Sequence, residues 1–370
     1  MTDDRQIPLL VIVDPAGRHR HQIAGALANF YRVLEFSDTE AAFRELGRVA
    51  ADLILIDDLT PPRGGYEFVR LLRRDRMRGL SEVPMVITSR RAEPEVHDLG
   101  SECGADAWLI KPFRYSALMK CITSQLNRRV EARWEALPPV QRAALKGTLD
   151  VFNSLSEIIE TGSRLEYSIM KQACAPLVEV VGHHDFQTLL RGVKEHDNYT
   201  YAHSVKVATM LCLFGHVIGL NQSEQMQLAC GGLVHDTGKM MIPLDVLNKP
   251  GRLDAGELEV MRTHVPVTIE VLQAGLDIPK GAMIIAAQHH EKLDGTGYPH
   301  GLKGKEINEL ARMAAIVDVF SALTDRRPYK PPMTAENALT IMTGDMINHL
   351  DQPMVRMFRE LMLDTERDLS

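Results

Sequence analysis

The apolar run Leu228-Ala229-Cys230-Gly231-Gly232-Leu233-Val234 ends in His235-Asp236. A helix that is apolar on most of its sides is buried, so this one carries an imidazole and a carboxylate into the interior. Burying an ionised carboxylate costs several kcal/mol unless a partner compensates, and a metal cation is the strongest partner available. A core histidine bonded to its neighbour would satisfy the pair if it stood alone. It does not stand alone. His203 lies upstream, and His264, the doublet His289-His290 and Asp318 lie downstream, each on or beside an apolar, helix-like segment. Five histidines and two aspartates facing the same burial problem point to a metal cluster inside a helical bundle.

The remaining composition narrows the class. At 370 residues the chain has room for two or three domains with real cores. A net charge of −7 disfavours a nucleic-acid partner, which calls for a basic face. The five cysteines, at 103, 121, 174, 212 and 230, show no paired spacing and suit a reducing compartment. The acidic start Met1-Thr2-Asp3-Asp4 lacks a signal-peptide pattern, and no apolar run is long enough to span a bilayer. A cytoplasmic location without membrane attachment is expected.

Residues 7–126 alternate short apolar strands with amphipathic helices. Leu9 to Val13 ends in Asp14, Leu53 to Ile56 in Asp57-Asp58, Pro84 to Ile87 in Thr88-Ser89, and Ala107 to Ile110 in Lys111-Pro112. That spacing predicts an α/β domain with a doubly wound, five-stranded parallel sheet, at whose carboxyl edge Asp14, Asp57, Thr88 and Lys111 converge. The stretch "DLILIDDLTPPRGGYEFVRLL", with "VITS" and "KPF" after it, resembles the receiver domain of response regulators. The resemblance implies that Asp57 is the phospho-acceptor, that Thr88 and Lys111 contact the phosphoryl group, and that Asp14 helps hold magnesium. Receivers usually carry two adjacent acids after the first strand, and here Pro15 takes the second place. Magnesium needs oxygen ligands, so its binding is expected to be weak.

From 115 to 137 the residues Leu118, Ile122, Leu126, Val130, Trp134 and Leu137 recur at three- and four-residue steps. This predicts a connector helix, ended by Pro138-Pro139, that pairs with a second copy of the chain or packs on its own protein. The pair His183-His184 stands among polar residues and is expected at the surface. An all-α bundle is expected to fill 191–370, with 127–190 as a helical connector and lead-in. Asp254 and Glu257 read as a capping box. Their helix should present Leu258, Met261 and His264 on one side and be kinked by Pro266 one turn later.

The motifs "HDNYTYAHS", "HDTGKMMIP", "LNKPGRL", "HHEKLDGTGYPHGLKG" and "DVFSALTDRRPYK" follow one another over 191–332. In this order they resemble the HD-GYP group of HD phosphohydrolases. The resemblance implies hydrolysis of cyclic di-GMP, to linear pGpG or GMP, at a centre of two or three metals. If Asp236 bridges two metals, His203, His235 and Asp318 complete one half and His264, His289 and His290 the other. Imidazole and carboxylate ligands admit iron, manganese, cobalt, nickel or zinc; the family suggests iron or manganese. Some family members hold a third metal through a carboxylate before the first ligand histidine. The nearest positions here are Asn198 and Tyr199, with Glu195 further off, so two metals are expected. Thr237 and "HVP" depart from the usual pattern without removing a ligand.

Lys239, three residues beyond Asp236, reads as a phosphate contact rather than a helix-end surface lysine. Arg327 and Lys330 read as a clamp on the second phosphate or a guanine edge rather than a solvated basic loop. Tyr298, in the turn Gly297-Tyr298-Pro299, is placed by the family at the mouth of the substrate pocket, with partner binding by that turn, including a diguanylate cyclase, left open. A sensor histidine kinase is the implied upstream partner. Against a receiver-governed phosphodiesterase stand a cyclic di-GMP-binding module with little turnover and a phosphohydrolase acting on another cyclic dinucleotide.

Overall fold

The uninterrupted apolar runs near the amino terminus leave their strands no wet face, which is how strands covered by helices on both sides read. The computed structural model describes residues 7–28, 31–75, 77, 79–183, 185–194, 196, 198–247, 249, 251–325 and 333–367. Its contacts divide the chain into two units, Met1–Arg129 and Val130–Ser370. The first contains β1 (Leu9–Val13), α1 (Gly17–Leu27), β2 (Arg32–Phe36), α2 (Thr39–Leu46), β3 (Leu53–Asp57), α3 (Gly65–Arg74), β4 (Met85–Ser89), α4 (Glu93–Cys103), β5 (Ala107–Ile110) and the start of α5 (Tyr115–Trp134). All neighbouring strands run parallel in the order β2-β1-β3-β4-β5. Every residue of β1, β3 and β4 is buried, whereas β2 and β5 are edges with partial burial. Val11, Ile54 and Ile87 face one helical layer, and Leu10, Leu55 and Val86 face the other with Ile23, Leu118 and Ile122.

The second unit is helical: α6 (Pro139–Thr161), α7 (Tyr167–Gly182), α8 (Phe186–Lys194), α9 (Tyr199–Val217), α10 (Gln222–Val234), α11 (Leu244–Leu247), α12 (Ala255–Arg262), α13 (His264–Ala274), α14 (Lys280–Gln288), α15 (Glu309–Thr324), α16 (Ala335–Thr343) and α17 (Gln352–Arg367). One core runs through it, with Trp134, Leu177, Phe214, Leu228 and Phe358 among its buried side chains. Residues 130–190 therefore contribute to that core. The 115–137 stripe packs within its own chain, Leu118 and Ile122 against the sheet and Val130 and Trp134 in the helical core. His183 is exposed; His184 lies outside the described residues.

Helix α10 is central because two glycines precede its end. A Cβ on Gly232 would stand 2.7 Å from the Ala208 Cα of α9, so this residue sets how closely the two helices approach. The capping box of Asn221 and Glu224 starts α10, and Asn198 and Asn308 cap α9 and α15. The expected box of Asp254 and Glu257 starts α12. The course beyond it differs from expectation. The chain breaks at Thr263, upstream of Pro266, and α13 begins at His264 with the proline in its first turn. Proline has no N–H to donate to the carbonyl four residues back and its ring crowds that carbonyl, so the preceding helix stops short. Leu258 is accordingly exposed while His264 is buried.

Candidate metal centre

Helices α9, α10, α13, α14 and α15 deliver the cluster. His203 comes from α9, His235 caps α10, Asp236 follows it, His264 opens α13, His289 and His290 follow α14, and Asp318 lies on α15. His203, His235, Asp236, His264, His289 and Asp318 are buried, and His290 is half-buried. The close approach of the turn after Asp236 to α13 again depends on a glycine, since a Cβ on Gly238 would fall 2.0 Å from the His264 carbonyl oxygen.

The two oxygens of Asp236 face two different sets of imidazoles. Oδ2 lies 3.3 Å from His235 Nε2 and 3.8 Å from His203 Nε2. Oδ1 lies 3.4 Å from His264 Nε2 and 3.7 Å from His289 Nε2. Asp318 Oδ1 is 3.0 Å from His203 Nε2 and 3.8 Å from His235 Nε2, and its Oδ2 is 3.9 Å from His290 Nδ1. Ligand atoms thus gather into two groups that share Asp236: one with His203 and His235, the other with His264, His289 and His290.

Three of the rings are oriented by helix carbonyls three residues back in the chain. Nδ1 donates to Gly232 O from His235 at 2.7 Å, to Met261 O from His264 at 2.7 Å, and to Ala286 O from His289 at 3.0 Å. Each of these bonds places the hydrogen on Nδ1 and leaves Nε2 to face the cluster. The Nε2 atoms of His235, His264 and His289, with Asp236 Oδ1, are buried and have no hydrogen-bond partner. Buried polar atoms are almost always satisfied, so four orphans gathered in the two ligand groups that share Asp236 fit bound cations. Their donor set, imidazole nitrogen and carboxylate oxygen, is that of a divalent transition metal.

The charges diverge across the cluster. Burial alone would raise the Asp236 carboxyl, but His235 and Lys239 beside it hold it well below the ordinary carboxylate range. Burial likewise opposes ionisation of Asp318, and His203 and His235 overcome it. His235 is pushed up to about 10 despite burial, because Asp236 and Asp318 lie alongside. Burial instead depresses His264 to about 4 and holds His290 well below 6.5. The His264 and His290 imidazoles are therefore neutral at physiological pH.

Lys239, in a 3-10 turn over Thr237–Met241, pairs with Asp236 Oδ2. The Tyr298 ring stands 4.7 Å from that of His290 and 5.3 Å from the Arg262 guanidinium carbon. Its turn is held by buried Glu291, which accepts from the His300 and Leu302 amides at 2.7 and 3.0 Å. Arg327, Lys330 and Glu195 lie outside the described residues. Sequence reading gave no role to Glu291, or to Asp325 and Lys206, which stand behind His203. The seven-residue step from Asp318 to Asp325, two helical turns, was the available signal for the second of these.

At the carboxyl edge of the sheet the expected residues also meet. Lys111 Nζ lies 2.7 Å from Asp14 Oδ2 and 2.5 Å from Asp57 Oδ2, and Thr88 is buried in register with Asp57. Pro15 is exposed. His19, which sequence reading missed, reaches Asp14 Oδ2 through Nδ1 at 2.8 Å, and Asp14 Oδ1 accepts from the Ala16 amide at 2.7 Å. Burial would raise the Asp14 carboxyl, but Lys111, His19 and that amide bring it below its ordinary value.

The comparisons with known proteins agree with this division. Residues 10–123 match the response regulator receiver domain and residues 188–354 the HD domain, which together span most of the chain. A cyclic di-GMP phosphodiesterase response regulator, RpfG of Xanthomonas campestris pv. campestris, is 29% identical over 90% of this chain and 82% of its own length. A probable cyclic di-GMP phosphodiesterase of Vibrio cholerae serotype O1 is 28% identical over 96% of this chain and 77% of its own. The 3'3'-cGAMP-specific phosphodiesterase 2 of the same organism is 37% identical over 46% of this chain and 33% of its own. Among the described residues no helix is long and apolar enough to cross a membrane. With a receiver sheet ending in Asp14, Asp57 and Lys111, and a bundle that gathers five histidines around Asp236, the chain joins a response regulator receiver domain to an HD domain.

Proposed function

We propose that this protein is a metal-dependent phosphodiesterase that hydrolyses cyclic di-GMP under the influence of its receiver domain. The observation that carries the reading is the set of four unpartnered buried atoms, three imidazole nitrogens and Asp236 Oδ1, at a His/Asp cluster in a chain similar in sequence to proteins named cyclic di-GMP phosphodiesterases. In our reading His203, His235 and Asp318 serve one of two divalent cations, His264, His289 and His290 the other, and Asp236 both. Iron or manganese is our choice, with zinc, cobalt and nickel compatible with the same donors. Such cations, when bound, supply Lewis acidity and an activated water.

The protein's own part is orientation and charge. Helix carbonyls fix the rings of His235, His264 and His289, so their Nε2 atoms need no rearrangement. Lys239 brings a cation beside Asp236, where a phosphate oxygen of the substrate would meet it. Tyr298, whose phenol burial keeps protonated, offers a ring face and a donor at the edge of the cluster. We assign Arg327 and Lys330 to the far phosphate or guanine on their sequence position alone. We further propose the division 1–126, 127–190 and 191–370, a cytoplasmic location, Asp57 as phospho-acceptor for a sensor kinase with weak magnesium at Asp14, and protein partners such as a diguanylate cyclase at the turn around Tyr298.

The test is to incubate anaerobically purified protein with cyclic di-GMP and, separately, with 3'3'-cGAMP, assaying products and metal content on the same sample. Turnover of cyclic di-GMP in proportion to bound metal is expected. Full metal occupancy and tight nucleotide binding without product would make the protein a binding module, and preferential turnover of 3'3'-cGAMP would move it to the relatives named for that substrate.

A further inference from the structure

His203 is held differently from the three histidines anchored on helix carbonyls. Its Nδ1 lies 2.8 Å from Oδ2 of Asp325, the residue that caps the end of α15. The other oxygen of Asp325 lies 2.5 Å from Nζ of Lys206, which also donates to Thr324 Oγ1 at 2.8 Å. Lys206 is one turn beyond His203 on α9, and Asp325 is two turns beyond Asp318 on α15. The two helices thus place a carboxylate on each side of one imidazole, Asp318 at Nε2 and Asp325 at Nδ1.

We propose that Asp325, neutralised by Lys206, is the positioning residue for His203. A carboxylate only accepts, so Asp325 holds a hydrogen on Nδ1, fixes the ring, and leaves Nε2, which faces Asp318 and Asp236, as the nitrogen that would ligate a cation. The backbone does this for His235, His264 and His289, because each sits at a helix end or break where a carbonyl three residues back is within reach. His203 lies inside α9, where those carbonyls are already taken by the helix. A side chain from α15 replaces them. Lys206 serves a second purpose: it offsets the charge of Asp325, so the half of the centre with two aspartates gains orientation without a third net negative charge. One half of the centre is therefore sensitive to an ion pair that lies outside it, and the other half is not.

The inference rests on reading His203 as a metal ligand, and the experiment separates the two. Metal-free full-length protein is titrated with manganese(II), following free ion by electron paramagnetic resonance. The wild type is expected to take two equivalents and H203A one. D325N should take two, one of them about 10- to 100-fold weaker and the other unchanged, as for other carboxylates that orient ligand histidines. The whole effect should persist in D325N/H264A and vanish in D325N/H203A. K206Q should weaken the same site by less, and it carries the test if D325N does not fold. Wild-type affinities in both D325N and K206Q, with H203A losing one equivalent, would overturn the positioning role and leave the ligand assignment intact. Two unchanged equivalents in H203A would remove both.

Discussion

The two clusters of this protein are built from similar groups and left in opposite states. At the carboxyl edge of the receiver sheet, Lys111 lies between Asp14 and Asp57 and His19 adds a further donor, so the acids are compensated by the chain itself. In the helical unit, Lys239 meets one oxygen of Asp236 while the other oxygen and three imidazole nitrogens stay unpartnered. The acids at this edge are thus satisfied by a lysine and a histidine of the chain itself. Imidazoles fixed by helix carbonyls cannot turn to find other partners, and their buried Nε2 atoms, without a hydrogen-bond partner among the described residues, suit a cation held among them. The first arrangement is closed by its own ion pairs, and the second keeps buried atoms without a hydrogen-bond partner among the described residues.

The contrast is most exposed at Asp236. Replacing it with alanine is expected to remove both metals and all measurable hydrolysis, because its two oxygens serve the two sets of histidines. Two equivalents of metal retained in D236A, by elemental analysis, would end the shared-ligand reading. Lys239→Ala should leave the metal content intact and lower turnover by about 10²–10³-fold, the usual loss for one charged contact to a reacting group. Unchanged turnover would mean that its pairing with Asp236 is purely structural.

Without metal, the fixed imidazoles should show themselves in the pH dependence of stability. His264, depressed from 6.5 to about 4, stays neutral in the folded chain while the unfolded chain takes up a proton. Folding is thus penalised as pH falls from 6.5 toward 4, by at most ~3 kcal/mol, and the penalty is absent above 6.5. Denaturant titrations of metal-free wild type and H264A across that window should differ in slope, the variant being flatter. Equal slopes would show that the ring is more accessible than its burial implies. The smallest effect concerns the receiver. Pro15→Asp should raise the rate of labelling by a small phosphodonor with magnesium, since it restores an anionic ligand beside Asp14. Rapid stoichiometric labelling of the wild type would show that the residues present suffice, and Asp57→Asn should abolish labelling in either background.

The sequence by itself determined which residue types stand in both clusters. Apolar runs broken by a charged residue mark where a strand or buried helix ends, and Asp14, Asp57, Lys111, His235 and Asp318 all stand at or within such runs. Four strands could be placed because each is a short apolar run, three of them buried on both faces; β2, an edge strand with the mixed sequence Arg32–Phe36, gave no such run. Tertiary structure alone decided which side chain meets which. The separation of α9 and α10 hangs on the missing Cβ of Gly232, and the reach of α13 toward Asp236 on that of Gly238. The break at Thr263 came from backbone crowding ahead of a proline rather than at the proline itself. The partners of His19 and Asp325 lay beyond the sequence for the same reason: a periodic pattern tells which residues turn inward, but the partner across the gap is set by how two helices or a strand end and a helix approach one another. That distance is a property of packing, which no single segment encodes.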